Sequence, residues 1–232
     1  MSVLNHSPRI VTKNLVFAID GAVARCWSGS GSVKDLAAGA EGNPIGPTLV
    51  NHMNGCFDFD GTDDRIDFGN LAAANFGTDS FSAEVVVEPD SIVGWKTIMG
   101  KGASGATGWS LTINPSSQYS IDIDAPTNEH RGNSNTVATI GQIAHICGVW
   151  RRNTSDTQVF MYINGERKVS STLSGETATV TNSAHNLGIG TYNAGTAWDF
   201  NGRIHLARLY NAELTAEEIK SNFETTKARF GL

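Results

Sequence analysis

The stretch CFDFDGTDDRIDFGN, residues 56–70, gathers five aspartates, Asp58, Asp60, Asp63, Asp64 and Asp67, around a Gly-Thr-Asp-Asp turn. Carboxylates at that density suit a hard cation, a catalytic pair or the wet face of a strand. A calcium loop of the EF-hand kind requires oxygen ligands at fixed offsets and a glutamate at the twelfth position, and the twelfth position counted from Asp58 is Gly69. Asp58 and Asp60 alternate with Phe57 and Phe59, the pattern of a strand with one face in a core and one in water. Asp63 and Asp64 occupy turn positions, where a short carboxylate bonds nearby backbone N–H groups. The expectation is a structural strand and turn, with a loop calcium site at Asp63 or Asp64 as the alternative and no other cofactor.

Other chemistries leave weaker traces. Glycoside hydrolysis needs two carboxyl groups facing one groove, roughly 5 to 10 Å apart. The Glu-x-Asp-x-x-Glu arrangement that serves it is approached only by EPDSIV, residues 88–93, where Val93 replaces the last glutamate and a proline intervenes. Asp122 and Asp124 share a face in SIDIDAP, as solvated aspartates on a strand also do. GWSLT lacks the second glycine of a nucleophile elbow, no phosphate loop is present, and the six histidines form no helical pair at metal spacing. No catalytic residue is expected, and the chain reads as a non-enzyme. Of the five tryptophans, Trp109 and Trp150 lie in apolar runs and belong in a core. Trp198 lies in TYNAGTAWDFNG with Tyr192 and Asp199. Those three residues are the candidate glycan site, an aromatic face with polar neighbours; alternatively Trp198 plugs the end of the fold.

The elements that must position these residues are strands. Period-2 alternation recurs in LVFAID (15–20), CFDFD (56–60), SFSAEVVVE (80–88), GWSLTIN (108–114) and QYSIDID (118–124), and again in IAHICGVWRR (143–152) and FNGRIHLARLYN (200–211). TQVFMYINGERKVSS (157–171) is a hairpin around Asn164-Gly165, a dipeptide that tolerates the positive φ angles of a tight primed turn. About a dozen strands at intervals near ten residues imply an all-β, antiparallel two-sheet sandwich. One helix is signalled over 215–230: Thr215 is a good N-cap, Glu218 completes a capping box, and Ile219, Phe223 and Phe230 follow on one face. It is expected to cover the end of the sandwich. Residues 1–14 form an N-terminal arm and 15–232 a single domain.

Charged residues make up 17% of the chain, and 23 acidic against 17 basic side chains give a net charge of −6. The basic residues are scattered, whereas phosphate-backbone binding needs a basic stripe, so no nucleic-acid partner is expected. No run approaches the roughly 20 apolar residues of a membrane span, so no membrane insertion is expected. The first residues, MSVLNHSPRIVTKNL, hold no apolar secretion segment, so synthesis and folding in a cytoplasm are expected. Cys26, Cys56 and Cys147 are odd in number and far apart; they read as reduced core residues.

Taken together, NLVFAIDGAVARCWSGSGSVKDL (14–36), FDFDGTDDRIDFGN (57–70), FSAEVVVEP (81–89), VFMYINGERK (159–168) and GRIHLARLYNAELTAEEIKSNFETTKARFGL (202–232) resemble the laminin-G-like, concanavalin A-like jelly-roll domains. The arm HSPRIVTKNLVFAID and the ending NFETTKARFGL resemble versions found in structural proteins of tailed bacteriophages of the marine myovirus type. The resemblance implies a jelly roll serving as a virion structural protein, either a capsid decoration or tail-associated. It would be oligomeric, with other virion proteins as partners, made in the host cytoplasm and located in the virion. A glycan-binding adhesion module acting on host surface polysaccharide is the alternative, and a glycoside hydrolase the third reading. The chain departs from its relatives at DLAAGAEGNPIG (35–46), where an Asn-rich loop is replaced by Ala, Glu and Pro.

Overall fold

The computed structural model describes residues 8–102, 108–124, 129–152, 156–174, 180, 184–192 and 198–232. Among them, sixteen strands and one α-helix are arranged as two antiparallel sheets packed face to face. The chain begins with β1 (Leu15–Asp20), β2 (Val33–Lys34), β3 (Glu41–Ile45), β4 (Thr48–Val50), β5 (Cys56–Asp60) and β6 (Arg65–Asp67). It continues through β7 (Phe81–Pro89), β8 (Lys96–Lys101), β9 (Gly108–Ile113), β10 (Gln118–Asp124) and β11 (Glu129–Val137). The last strands are β12 (Ala144–Arg152), β13 (Asp156–Ile163), β14 (Glu166–Ser174), β15 (Leu187–Ile189) and β16 (Asn201–Tyr210), followed by α1 (Ala216–Phe230). The two-layer antiparallel sandwich expected from alternation is the observed fold. The strands that alternation does not mark, β2, β3, β4 and β11, are short, or are polar or Gly-bearing along their length.

One sheet runs β14-β13-β12-β7-β16-β5-β4, with β1 also paired to β16; the other runs β11-β10-β9-β8-β15-β6-β3-β2. The inward face of each alternating strand fills the space between them: Phe57 and Phe59, Ala83, Val85 and Val87, Leu111 and Ile113, Ile121 and Ile123 all join one core. Trp109 and Trp150 are wholly buried in it, as their apolar surroundings require. All three cysteines are free and buried, and burial pushes each thiol upward in pKa, to about 11 for Cys26 and Cys56. At the β13–β14 hairpin, Asn164 and Gly165 take φ 52° and 75°, the left-handed pair that a primed turn demands.

The helix begins and ends as its sequence dictates. Thr215 accepts from the Glu218 N–H, the Glu218 carboxylate accepts from the Thr215 N–H, and Gly231 closes the helix at φ 69°. Its location differs from the expectation. Instead of closing an end of the sandwich, α1 lies on the outward face of the first sheet. There Ile219 packs with Cys147, Val149, Phe160, Tyr162, Tyr210 and Leu214, while Phe230 packs with Val86, Ile143 and Leu206. The reason is apolar side chains on both faces of the central strands, so that β7 is buried along its whole length. Beneath the helix sits Glu84, wholly buried, bonded to His145, Arg208, Tyr210 and Asn222. The described part of the arm joins this layer: the Val11 N–H donates to Asn222 Oδ1 at 2.8 Å, and Ser221 exchanges hydrogen bonds with the Arg9 backbone.

Candidate functional site

The outward face of the second sheet carries the sequence-predicted glycan residues. Antiparallel register sets Asp122 of β10 between Ser110 of β9 and Arg131 of β11, and sets Ser110 opposite Gly100 of β8. Side chains directly opposite share a face, so these groups form a polar row that ends on a glycine. Gly100 and Gly102 leave room for Tyr192: a Cβ on Gly100 would stand 3.0 Å from the ring, and one on Gly102 2.5 Å from the hydroxyl. Tyr192 therefore lies flat over them, fully buried.

Trp198 stacks on Tyr192 with centroids 5.5 Å apart and planes 6° from parallel. Its backbone is left-handed, φ 63°, and its carbonyl accepts from the Thr97 N–H at 2.7 Å, which fixes the indole over the sheet. Trp95 follows, 5.4 Å from Trp198, and the Arg131 guanidinium sits 4.6 Å over the Trp95 ring. Arg131 Nε returns to Asp122 Oδ1 at 3.0 Å, closing the circuit from sheet to aromatic roof and back. Under that roof Asp122 also accepts from Thr112 Oγ1 at 2.6 Å and Ser120 Oγ at 2.9 Å. Asp199, half-buried, accepts from Thr191 Oγ1 at 2.9 Å.

Of the three predicted residues, then, Tyr192 is the buried support and Trp198 and Asp199 reach the surface. Sequence reasoning missed Trp95 and Arg131. Trp95 stands in VGWKT with no loop signature around it, and Arg131 lies on a polar strand that alternation does not mark. Two partly exposed indoles with Arg131 and Asn133 exposed beside them offer apolar surface flanked by hydrogen-bonding groups, the combination that binds amphipathic ligands.

The aspartate turn is elsewhere, at the β5–β6 connection. Asp60, Asp63 and Asp64 bring one carboxylate oxygen each within 4.8 Å of one another. Asp64 Oδ2 accepts from the Asp60 N–H at 2.8 Å and Asp60 Oδ1 from the Thr62 N–H at 2.8 Å, so both shape the turn. Asp64 also packs on Gly46, at φ 88°, where a Cβ would fall 1.7 Å from its Oδ1. Burial pushes the Asp64 carboxyl up, against the pull of the Asp60 N–H. Asp58 and Asp60 do turn outward while Phe57 and Phe59 turn in. In EPDSIV, Glu88 is bonded to His52 at 2.8 Å and to Arg203 at 2.8 Å. Asp122 is held in the network above, and the Asp124 side chain lies outside the described residues.

A family model described as the concanavalin A-like lectin/glucanases superfamily matches residues 60–220. No curated protein matches the chain in sequence. Among solved structures, the chain is similar to domain 4 of an extracellular GH43 arabinanase from Geobacillus stearothermophilus in complex with arabinotriose. That likeness has TM-score 0.68 and 16% identity, covering 90% of this chain and 98% of the domain. It is similar also to the receptor-binding domain of botulinum neurotoxin type G, with TM-score 0.65 and 14% identity, over 92% of this chain and 52% of that one. A mutant Trypanosoma rangeli sialidase displaying trans-sialidase activity gives TM-score 0.67 and 18% identity, over 96% of this chain and 34% of the sialidase. Identities this low speak for the fold alone; the family match, spanning both sheets from the aspartate turn into the helix, is what places the chain in the concanavalin A-like lectin/glucanases superfamily.

Proposed function

We propose that this chain is a non-catalytic carbohydrate-binding module whose ligand surface is the roof over the second sheet. The observation that carries this reading is the half-exposed Trp95–Trp198 pair, held rigid from below by Tyr192 and flanked by Arg131, Asn133 and Asp199. A sugar ring lays its C–H face on an indole while its hydroxyls bond the polar rim. Rigid aromatics lose little entropy on binding, but so open a surface gives weak single contacts, and repeated copies would gain strength by avidity. The likeness to an arabinanase domain solved with arabinotriose supports the sugar class without naming the sugar.

A glycan array and a panel of soluble polysaccharides test the proposal. Binding by wild type that falls at least tenfold in both Trp95→Ala and Trp198→Ala is the expected result, with no release of reducing ends by any of the three proteins. Equal signals for wild type and Trp198→Ala would remove this surface, and steady turnover of any glycan would overturn the non-catalytic assignment.

A second reading, a repeated structural component of a phage particle, rests on the resemblance of the two chain ends. It gains one observation: those ends meet, Arg9 and Val11 against Ser221 and Asn222, so the resembling segments form one unit. Mass spectrometry of purified particles from infected cells should then find the full-length chain, and its absence would remove this reading.

A further inference from the structure

On the opposite side of the molecule, near the end of α1, His52, Glu88 and His205 each direct one ligand atom into a space where all three lie within 4.8 Å of one another. His205 is the unusual member. It sits at the register break of β16 against β7, between Ile204 and Leu206, and such a bulge re-aims a side chain that regular pairing would place elsewhere. The imidazole is completely buried, and neither ring nitrogen has a hydrogen-bond partner among the described residues. Buried polar groups left without partners are rare and call for a cause. Its Nε2 stands 3.7 Å from Glu88 Oε2, too far to bond, while His52 Nε2 stands 2.8 Å from the same oxygen.

We propose that His52, Glu88 and His205 form a binding site for a divalent transition metal ion of borderline softness, represented by Zn²⁺. Two imidazoles and a carboxylate are the donor set such ions take, and water in the fourth position would complete a tetrahedron. With metal–ligand distances of about 2.0–2.2 Å, ligand atoms in a tetrahedron stand roughly 3.3 Å apart. The observed 2.8 and 3.7 Å bracket that value and the third pair, His52 and His205, lies within 4.8 Å, so closing on an ion takes a small shift of the Glu88 carboxylate and a rotation of His52. His52 can make it, because its side chain is 39% exposed on the β4–β5 connection, which also gives an ion its way in.

The surroundings fit a cation. Glu88 Oε1 is fixed by Arg203 at 2.8 Å, an outer contact of the kind that orients ligating carboxylates. Arg203 is shared with Asp58 and Asp90, each at 3.5 Å, so three carboxylates stand against one guanidinium. The loop carrying His52 is tied to the helix by Arg229, which donates to the Met53 and Gly55 carbonyls at 2.8 Å, and Phe230 packs 5.0 Å from the His205 ring. An ion here would staple that loop to β7 and β16 beneath the helix end.

The test uses full-length protein without a histidine tag, stripped with chelator and titrated with Zn²⁺ against a chromophoric competitor. One ion per chain is expected, with a rise in melting temperature, and Co²⁺ should give the intense visible absorption of a four-coordinate site. His52→Ala, whose fold is verified by circular dichroism because this residue is half exposed, should weaken Zn²⁺ at least tenfold. Glu88→Gln should do the same, and Asp63→Asn at the other acidic cluster should change nothing. No stoichiometric Zn²⁺ binding by wild type would overturn the site. So would Zn²⁺ binding that survives both His52→Ala and Glu88→Gln, or that is lost in Asp63→Asn.

Discussion

Glu84 joins two strands and a helix through one carboxylate. Oε1 accepts from His145 at 2.6 Å, and Oε2 faces Arg208 at 3.1 Å, Asn222 at 3.1 Å and Tyr210 at 3.4 Å. Burial alone would push its pKa up, but the Arg208 and His145 charges and hydrogen bonds outweigh that and hold it at about 2, below its ordinary 4.5. A carboxyl depressed on folding contributes stability that is complete above pH 4.5 and is lost as pH falls from there toward 2. Glu84→Gln keeps the shape but leaves the Arg208 guanidinium buried without its counter-charge, a change that costs about 3–5 kcal/mol. Urea unfolding at pH 7 should show that loss, and a pH series should show a flatter acid limb in the variant. An unchanged slope between pH 4.5 and 2 would mean that other carboxylates govern acid unfolding.

At the scale of elements, α1 and the arm act as one lid. The helix has the local signals of an independent element, but what holds it is the outward face of the first sheet and the Asn222 bridge between Glu84 and the Val11 N–H. Deleting residues 1–13 removes Val11, which packs beside Ile219, and leaves Asn222 Oδ1 without its donor. A buried acceptor stripped of its partner costs about 1–3 kcal/mol, so this truncation should lower the melting temperature by several degrees. Deleting only residues 1–7 spares Arg9 and Val11, so this shorter truncation should melt higher than the longer one. If both truncations melt like the full-length chain, residues 9–11 contribute nothing to the lid.

In the whole molecule, the two sheet faces that point away from the common core meet different fates. One is covered by α1 and buries the Glu84 network and, at its edge, His205; the other is roofed by Tyr192, Trp198 and Trp95 and leaves the two indoles partly exposed. The sequence by itself determined the alternation that makes strands, the Asn164-Gly165 turn, the capped helix and the inward placement of Phe57, Phe59, Val85 and Val87. These depend on neighbours within a few residues, through the two-residue pleat, the φ preferences of Asn-Gly and the reach of a capping side chain. The same alternation reads Ser82, Glu84 and Glu88 as facing away from the core, and so they do, yet all three are buried. What covers them is remote in sequence: Asn222 reaches Glu84 across 138 residues, and His52 reaches Glu88 across 36. Likewise Tyr192 and Trp198 are close in the sequence, but the glycine floor beneath them and the Trp95–Arg131 flank come from β8, the residues just before and after it, and β11. Tertiary structure alone decided which outward faces would be covered and which distant side chains would share a site, because strand order and register, unlike pleat and turn, are fixed by packing between segments that carry no local record of one another.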